Sequence, residues 1–215
     1  AERIVIATGA RWVADGKGRS NGHAIPADVG ARILTPDDIC AGQRPEGPVV
    51  IFDDDYYYMA GLMAELLRGE GAEVTYVTPA ADVSHWTHNT MEQGRIQARL
   101  MRMGVRIVPL HNLTRIAPDH VDLSCVYTET VQQVVCDTVI PVTMRTPVDD
   151  LFHALQAKTE DGQKRPKTIT RIGDCLAPGT IAAAVYGGHR YARELNEPVP
   201  ENEPFRRELP ALAAD

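Results

Sequence analysis

The segment Val49-Val50-Ile51-Phe52-Asp53-Asp54-Asp55-Tyr56-Tyr57-Tyr58-Met59-Ala60-Gly61 decides how this chain folds. Its four leading apolar residues make a short run with no polar alternation, the pattern of a strand buried on both faces. From Tyr58 through Leu67 the apolar residues recur at helical spacing, which places Met59, Leu62, Met63, Leu66 and Leu67 on one inward face. Gly69 and Gly71 end that helix, and Ala72-Glu73-Val74-Thr75-Tyr76-Val77 reads as the next strand. A strand, a helix and a second strand in about thirty residues, with short connections, make a β-α-β unit and hence a parallel sheet.

The turn between that first strand and its helix is where a dinucleotide fingerprint belongs. The G-x-G-x-x-G pattern needs glycines so that the backbone turns sharply and approaches a pyrophosphate, which then rests on the helix N-terminus. Here the turn is Asp53-Asp54-Asp55-Tyr56-Tyr57-Tyr58-Met59-Ala60, which has no glycine; only Ala60 stands in, for the third one. A carboxylate about 4 Å from a phosphate charge costs on the order of 4 kcal/mol at an effective dielectric near 20. That weakens binding roughly a thousandfold. An aspartate at a helix N-terminus instead caps free N–H groups and meets the helix dipole favourably, so the acids are expected to cap this helix. Two further features agree. Val77 is followed by Thr78-Pro79 rather than by the acid that would hold a ribose, and Thr138–Val142 leads into Thr143-Met144-Arg145 rather than a glycine-rich turn. The unit reads as Rossmann-like without NAD(P) binding. A magnesium site on Asp53, Asp54 and Asp55 is the weaker alternative, because adjacent carboxylates on one turn diverge.

Outward from this unit, Asn89–Met103 reads as a helix with Ile96, Leu100 and Met103 inward, and Val105–Val108 as a third strand. Leu113–Ile116, Val121–Tyr127 and Val131–Val135 alternate apolar with polar, which suits an antiparallel meander. Thr138–Val142 returns to a buried strand, and a helix begins at Val148. Glu160–Lys167 is a charged loop, Thr168–Ile172 a strand, and Pro178-Gly179 open a last helix with a small-residue face of Ala182, Ala183, Ala184, Gly187 and Gly188. The proline- and acid-rich tail after Pro198 is expected to be loosely held. On the N-terminal side, Arg3-Ile4-Val5-Ile6-Ala7 reads as a buried parallel strand with almost no lead-in, so the chain is expected to begin in mid-fold. Residues 14–32 read as a surface loop. Thr35-Pro36-Asp37-Asp38 gives an N-cap, a first-turn proline and first-turn acids for a short helix through Cys40.

Composition narrows the function classes. The chain has 215 residues, 44% hydrophobic and 24% charged, with net charge −7, ordinary globular values that speak against a dedicated nucleic-acid binder. No stretch reaches the roughly 18 apolar residues of a membrane span, and no signal peptide is expected. Cys40, Cys125, Cys136 and Cys175 form no C-x-x-C pair and read as reduced thiols of a cytoplasmic protein, with no metal centre among them. His85-Trp86-Thr87-His88 offers two histidines three apart but no third ligand in reach, so it reads as a loop cap before the Asn89 helix, with Trp86 as an anchor. His189, Arg190 and Arg193 read as a solvated helix face. No G-x-S-x-G elbow occurs, and no residue stands out as catalytic.

The motifs carry a resemblance. Ile4-Val5-Ile6-Ala7-Thr8-Gly9-Ala10-Arg11-Trp12 is similar to the Ala-Thr-Gly strand-turn of flavoproteins with two dinucleotide domains, and Ile172-Gly173-Asp174 to their late Gly-Asp motif. The stretches FDDDYYYMAG (52–61) and VSHWTHNT (83–90) resemble the trimethylamine, dimethylamine and histamine dehydrogenases, up to about Pro198. The resemblance implies an α/β fold in which a Rossmann-like domain of parallel sheet and antiparallel meander, 47–147, is inserted into part of a second FAD/NAD(P)-binding-like domain, 1–46 and 148–215. It implies a C-terminal portion whose FMN, 4Fe-4S cluster and catalytic residues lie in an N-terminal TIM barrel of the same protein, the intact enzyme oxidising a small methylated amine. Ala7, Thr8, Gly9, Gly173 and Asp174 match the family's ADP site, whose glycine-rich loop would lie upstream, so an incomplete ADP pocket is expected. Implied partners are that barrel, an electron-transferring flavoprotein and a second copy in a homodimer. The alternatives are a working NAD(P)H-binding module of a flavin reductase and a stand-alone protein-binding scaffold.

Overall fold

In the computed structural model the described residues are 2–160 and 166–197. They divide into two compact units, one of residues 2–7 with the described part of 149–197 and one of residues 8–148.

The second unit is a mixed α/β structure. Its centre is a four-stranded parallel sheet of β3 (Val49–Asp53), β4 (Val74–Val77), β5 (Arg106–Val108) and β9 (Thr138–Val142), in the order β5-β4-β3-β9. Every residue of β3, β4 and β9 is buried, as their uninterrupted apolar runs require. Side chains alternate between two cores. Val49 and Ile51 point to a helix side with Ile39, Met63, Leu67, Tyr76 and Leu100, whereas Val50 and Phe52 join Leu113, Ile116, Leu123 and Val139. The second core is roofed by the meander β6 (His111–Ile116), β7 (His120–Cys125) and β8 (Val131–Val135), antiparallel with a register irregularity between Leu113 and Arg115. A short antiparallel pair joins β2 (Ala10–Trp12) to β10 (Arg145–Pro147).

Helix α1 (Pro36–Cys40) has the capping box its sequence announces: Asp38 N–H donates to Thr35 Oγ1 at 3.2 Å, and Thr35 N–H to Asp38 Oδ2 at 2.8 Å. Helix α2 (Met59–Gly69) turns a different face inward from the one its leucines suggest. Ala60, Met63, Ala64 and Leu67 are buried, while Leu62 is 54% and Leu66 39% exposed. The buried set keeps the i, i+3, i+4, i+7 stripe and uses two alanines to bring the helix close to the sheet. The chain after β4 departs from the expected single helix: His85–Thr90 is a 3-10 helix, Met91 adopts a left-handed φ of 58°, and α3 (Gln93–Arg102) begins only then.

In the first unit β1 (Arg3–Ile6) pairs in parallel with β11 (Thr168–Arg171). β1 is not fully buried as its composition suggests; only Ile6 is, and Val5 is 39% exposed, since β11 is its sole partner strand among the described residues. Helix α4 starts at Asp150, and α5 (Ile181–Glu194) is capped by the Thr180 side chain. Part of its small-residue face does pack closely: a Cβ on Gly187 would stand 3.6 Å from the Gly173 nitrogen. Arg190 pairs with Glu194 at 2.8 Å, and His189 is exposed. The tail after Pro198 and most of the charged loop lie outside the described residues.

Candidate functional site

The acid turn 53–58 leaves β3 at the carboxyl edge of the parallel sheet, the place where open α/β sheets bind ligands. Asp53 and Asp54 are both fully buried. Asp53 accepts the Tyr56 N–H at 2.9 Å and the Tyr76 hydroxyl, and its main-chain carbonyl accepts the Thr78 hydroxyl at 2.9 Å. Asp54 accepts both the N–H and the hydroxyl of Ser20, each at 2.7 Å. The acids therefore do not cap α2, contrary to what their position suggests. The N-cap residue is Tyr58, which makes no side-chain cap, and the first turn holds no acid. The carboxylates are spent on the loop and strand around the turn.

The main chain of the turn is equally engaged. The N–H groups of Asp54 and Asp55 both donate to the Val142 carbonyl, at 2.9 and 3.0 Å. A pyrophosphate needs such N–H groups turned toward it, and these two, with that of Tyr56, face protein acceptors. Tyr56 has a left-handed φ of 66°, so the sharp bend that a fingerprint glycine supplies is kept by a tyrosine. Its ring lies under the Arg19 guanidinium, 5.7 Å away, and its hydroxyl is 3.2 Å from Ser20 Oγ. Tyr57 packs against Tyr58 with ring centroids 4.4 Å apart and planes tilted by 57°, and it meets Trp86 edge-on at 5.5 Å. Trp86 thus meets Tyr57 and stays 43% exposed.

The loop 14–32 was legible as a loop but not as a cover. It buries Ile25, and Gly18 lies so close over the turn that a Cβ there would stand 2.3 Å from Asp54 Oδ2. Burial raises the Asp53 carboxyl to about 7 despite the Tyr76 and Tyr56 hydrogen bonds. Burial also raises Asp55, opposed by the Arg145 and Arg19 charges. The Asp53 and Asp54 carboxylates each accept hydrogen bonds from separate protein partners.

The other sequence-derived site residues are split between the two units. Ala7 follows β1, and Gly173 and Asp174 follow its partner β11; Thr8 and Gly9 begin the other unit. Gly9 and Gly173 have left-handed φ of 79° and 60°. Asp174 Oδ1 accepts the Gly179 N–H at 3.1 Å. Cys40 is exposed, Cys125 half-buried, and Cys136 and Cys175 buried; no cysteine shares a metal-ligand group among the described residues. Beside the pair His85 and His88 the fold places Asp82, which their sequence spacing does not show.

The family model of the OYE-like second alpha/beta domain matches residues 34–144, more than half of the chain. The chain belongs to this family. It corresponds to the C-terminal nucleotide-binding-like region of the trimethylamine, dimethylamine and histamine dehydrogenase family. This OYE-like second domain and its flanks are 30% identical to the dimethylamine dehydrogenase of Hyphomicrobium sp. (strain x), an alignment taking in 97% of the chain and 31% of that protein. The structure of histamine dehydrogenase from Rhizobium sp. 4-9 superimposes with a TM-score of 0.90 at 44% identity, over 99% of this chain and 34% of that one. The 6-hydroxypseudooxynicotine amine oxidase of Pseudomonas geniculata N1 matches with a TM-score of 0.84 at 39% identity, over 88% of this chain and 28% of that one. The OYE-like chain thus spans about a third of the length of these relatives. No described helix is long and apolar enough to cross a membrane.

Proposed function

We propose that this chain is the non-catalytic C-terminal portion of a trimethylamine dehydrogenase-like oxidoreductase, with a dinucleotide fold whose binding turn has become a structural joint. The observation that supports this most directly is the acid turn: the Asp53 and Asp54 carboxylates are engaged by Tyr76 and Ser20, the Asp54 and Asp55 N–H groups by Val142, and Gly18 closes over Asp54. Amine chemistry is the trade of the relatives, a dimethylamine dehydrogenase, a histamine dehydrogenase and an amine oxidase.

On this reading the intact enzyme oxidises a small methylated amine, with FMN and a 4Fe-4S cluster in a barrel outside this chain. Gly9 and Gly173 form left-handed turns, and Asp174 accepts the Gly179 N–H. That Ala7, Thr8, Gly9, Gly173 and Asp174 match the family's ADP motif supports a remnant of an ADP site. The partners are the barrel, an electron-transferring flavoprotein and a second copy.

The test is spectroscopic and kinetic. The purified chain is expected to be colourless and to leave trimethylamine unoxidised with any artificial electron acceptor. A yellow preparation with bound flavin, or turnover of the amine, contradicts the assignment.

A further inference from the structure

We propose that Asp82, His85 and His88 form a binding site for a divalent transition cation of the zinc type, outside the acid turn. The site is built by local geometry. Ser84, with a left-handed φ of 49°, sends the chain into the 3-10 helix His85–Thr90. A 3-10 helix has 3.0 residues per turn, so residues i and i+3 eclipse and His85 and His88 project from the same edge. Their rings stand 5.1 Å apart at 70° to each other. Asp82 lies between them, with Oδ1 2.7 Å from His85 Nδ1 and Oδ2 2.7 Å from His88 Nε2.

All three donor atoms fall within 4.8 Å of one another, the one such convergence of histidine, cysteine and acid groups among the described residues. Zinc takes nitrogen and carboxylate ligands at about 2.0–2.2 Å in a tetrahedron. Adjacent ligand atoms in such a tetrahedron are about 3.3–3.5 Å apart, so the two His–Asp contacts of 2.7 Å need to open by less than an ångström. Two imidazoles and one carboxylate select zinc, copper or nickel over magnesium and calcium. The turn is held beforehand: Thr87 Oγ1 donates to the Ser84 carbonyl at 2.7 Å and Asn89 Nδ2 to the Trp86 carbonyl at 3.0 Å. The histidine side chains are half exposed and Asp82 is 23% exposed, which leaves an entry path and room for water as the fourth ligand. Because Trp86 N–H donates to the Tyr56 carbonyl at 2.8 Å, a bound ion would also fasten the acid turn.

The experiment is calorimetric titration of the metal-free 215-residue chain with zinc chloride near neutral pH, repeated with His85→Gln, His88→Gln and Asp82→Asn. The expected result is one zinc per chain, bound at least about 10–100-fold more weakly in each variant, the factor that even an outer-shell partner carries. Cobalt in place of zinc is expected to show ligand-field bands without thiolate charge transfer, which separates this site from Cys40 and Cys125. The three variants and the cobalt spectrum of the unaltered chain are read separately, so a folding defect in one leaves the others decisive. Absence of saturable zinc uptake at micromolar concentration overturns the proposal. So does zinc binding unchanged in His88→Gln, or a thiolate band with cobalt.

Discussion

The hydroxyl of Tyr76, on the second strand of the parallel sheet, donates a hydrogen bond to the Asp53 carboxylate at the end of the first, and both side chains are fully buried. The same hydroxyl accepts the Ser84 N–H at 3.1 Å, so one phenol ties the acid turn to the start of the 3-10 helix. Asp53 is in this way the pivot of a polar network inside an apolar sheet. Replacing Tyr76 by Phe leaves a buried carboxylate short of a partner. It is expected to cost about 1–3 kcal/mol in chemical denaturation.

The same burial makes stability depend on pH. Asp53 holds its proton up to about 7 in the folded chain, well above the ordinary carboxylate near 3.8. Between those values the folded state carries a proton that the unfolded state has lost. Stability therefore falls as pH rises through this window, by up to about 1.4 kcal/mol per pH unit, and levels off above about 7. Denaturation midpoints measured from pH 5 to pH 8 are expected to show that decline, and Asp53→Asn to flatten most of it. Burial of Asp55 adds a contribution of the same sign.

Ser20 gives buried Asp54 two hydrogen bonds of 2.7 Å, one from its main chain and one from its hydroxyl. Ser20→Ala removes only the second. Hydrogen bonds to a charged group contribute about 1.5–3 kcal/mol, so a loss in that range is expected on unfolding. Amide exchange should rise in residues 17–25 before it rises in the sheet.

Gly18 is a sharper probe of the same cover. An added Cβ would stand 2.3 Å from Asp54 Oδ2 and 3.0 Å from the Thr143 Cβ, so Gly18→Ala must displace the loop or the turn. A destabilisation of about 1–3 kcal/mol is expected, as for other overpacked sites. Gly22→Ala in the same loop has open space and serves as the control.

At the short helix before the sheet, Thr35→Ala deletes one half of a reciprocal cap. About 1 kcal/mol of stability is expected to go with it, measured by thermal melting.

Much of this architecture was legible in the residues. Val49–Phe52 announce a strand buried on both faces, Thr35-Pro36-Asp37-Asp38 announce a capped helix, and the alternation over 113–135 announces the meander, because each pattern depends on neighbours in sequence. What stayed hidden depends on partners far along the chain. Nothing local says that Ser20 reaches Asp54 across 34 positions, or that Tyr76 takes up Asp53. Leu62 and Leu66 mislead because alanines 60 and 64, weak signals of hydrophobicity, hold the close helix–sheet contact. The break of the expected 89–103 helix comes from left-handed backbone at Ser84 and Met91, residue types that rarely mark it. Asp82 escapes a search for ligand spacing because it precedes the 3-10 helix that aligns His85 with His88.

The central claim is that side chains and main-chain partners have taken over the ground on which a coenzyme's diphosphate would rest. Titration of NADH into the purified chain, followed by nicotinamide fluorescence, tests it most directly. No saturable change is expected across the micromolar range, and Ser20→Ala or Gly18→Ala are expected to bind no better. Saturation at micromolar NADH with one site per chain, abolished by altering Tyr56, would contradict the account.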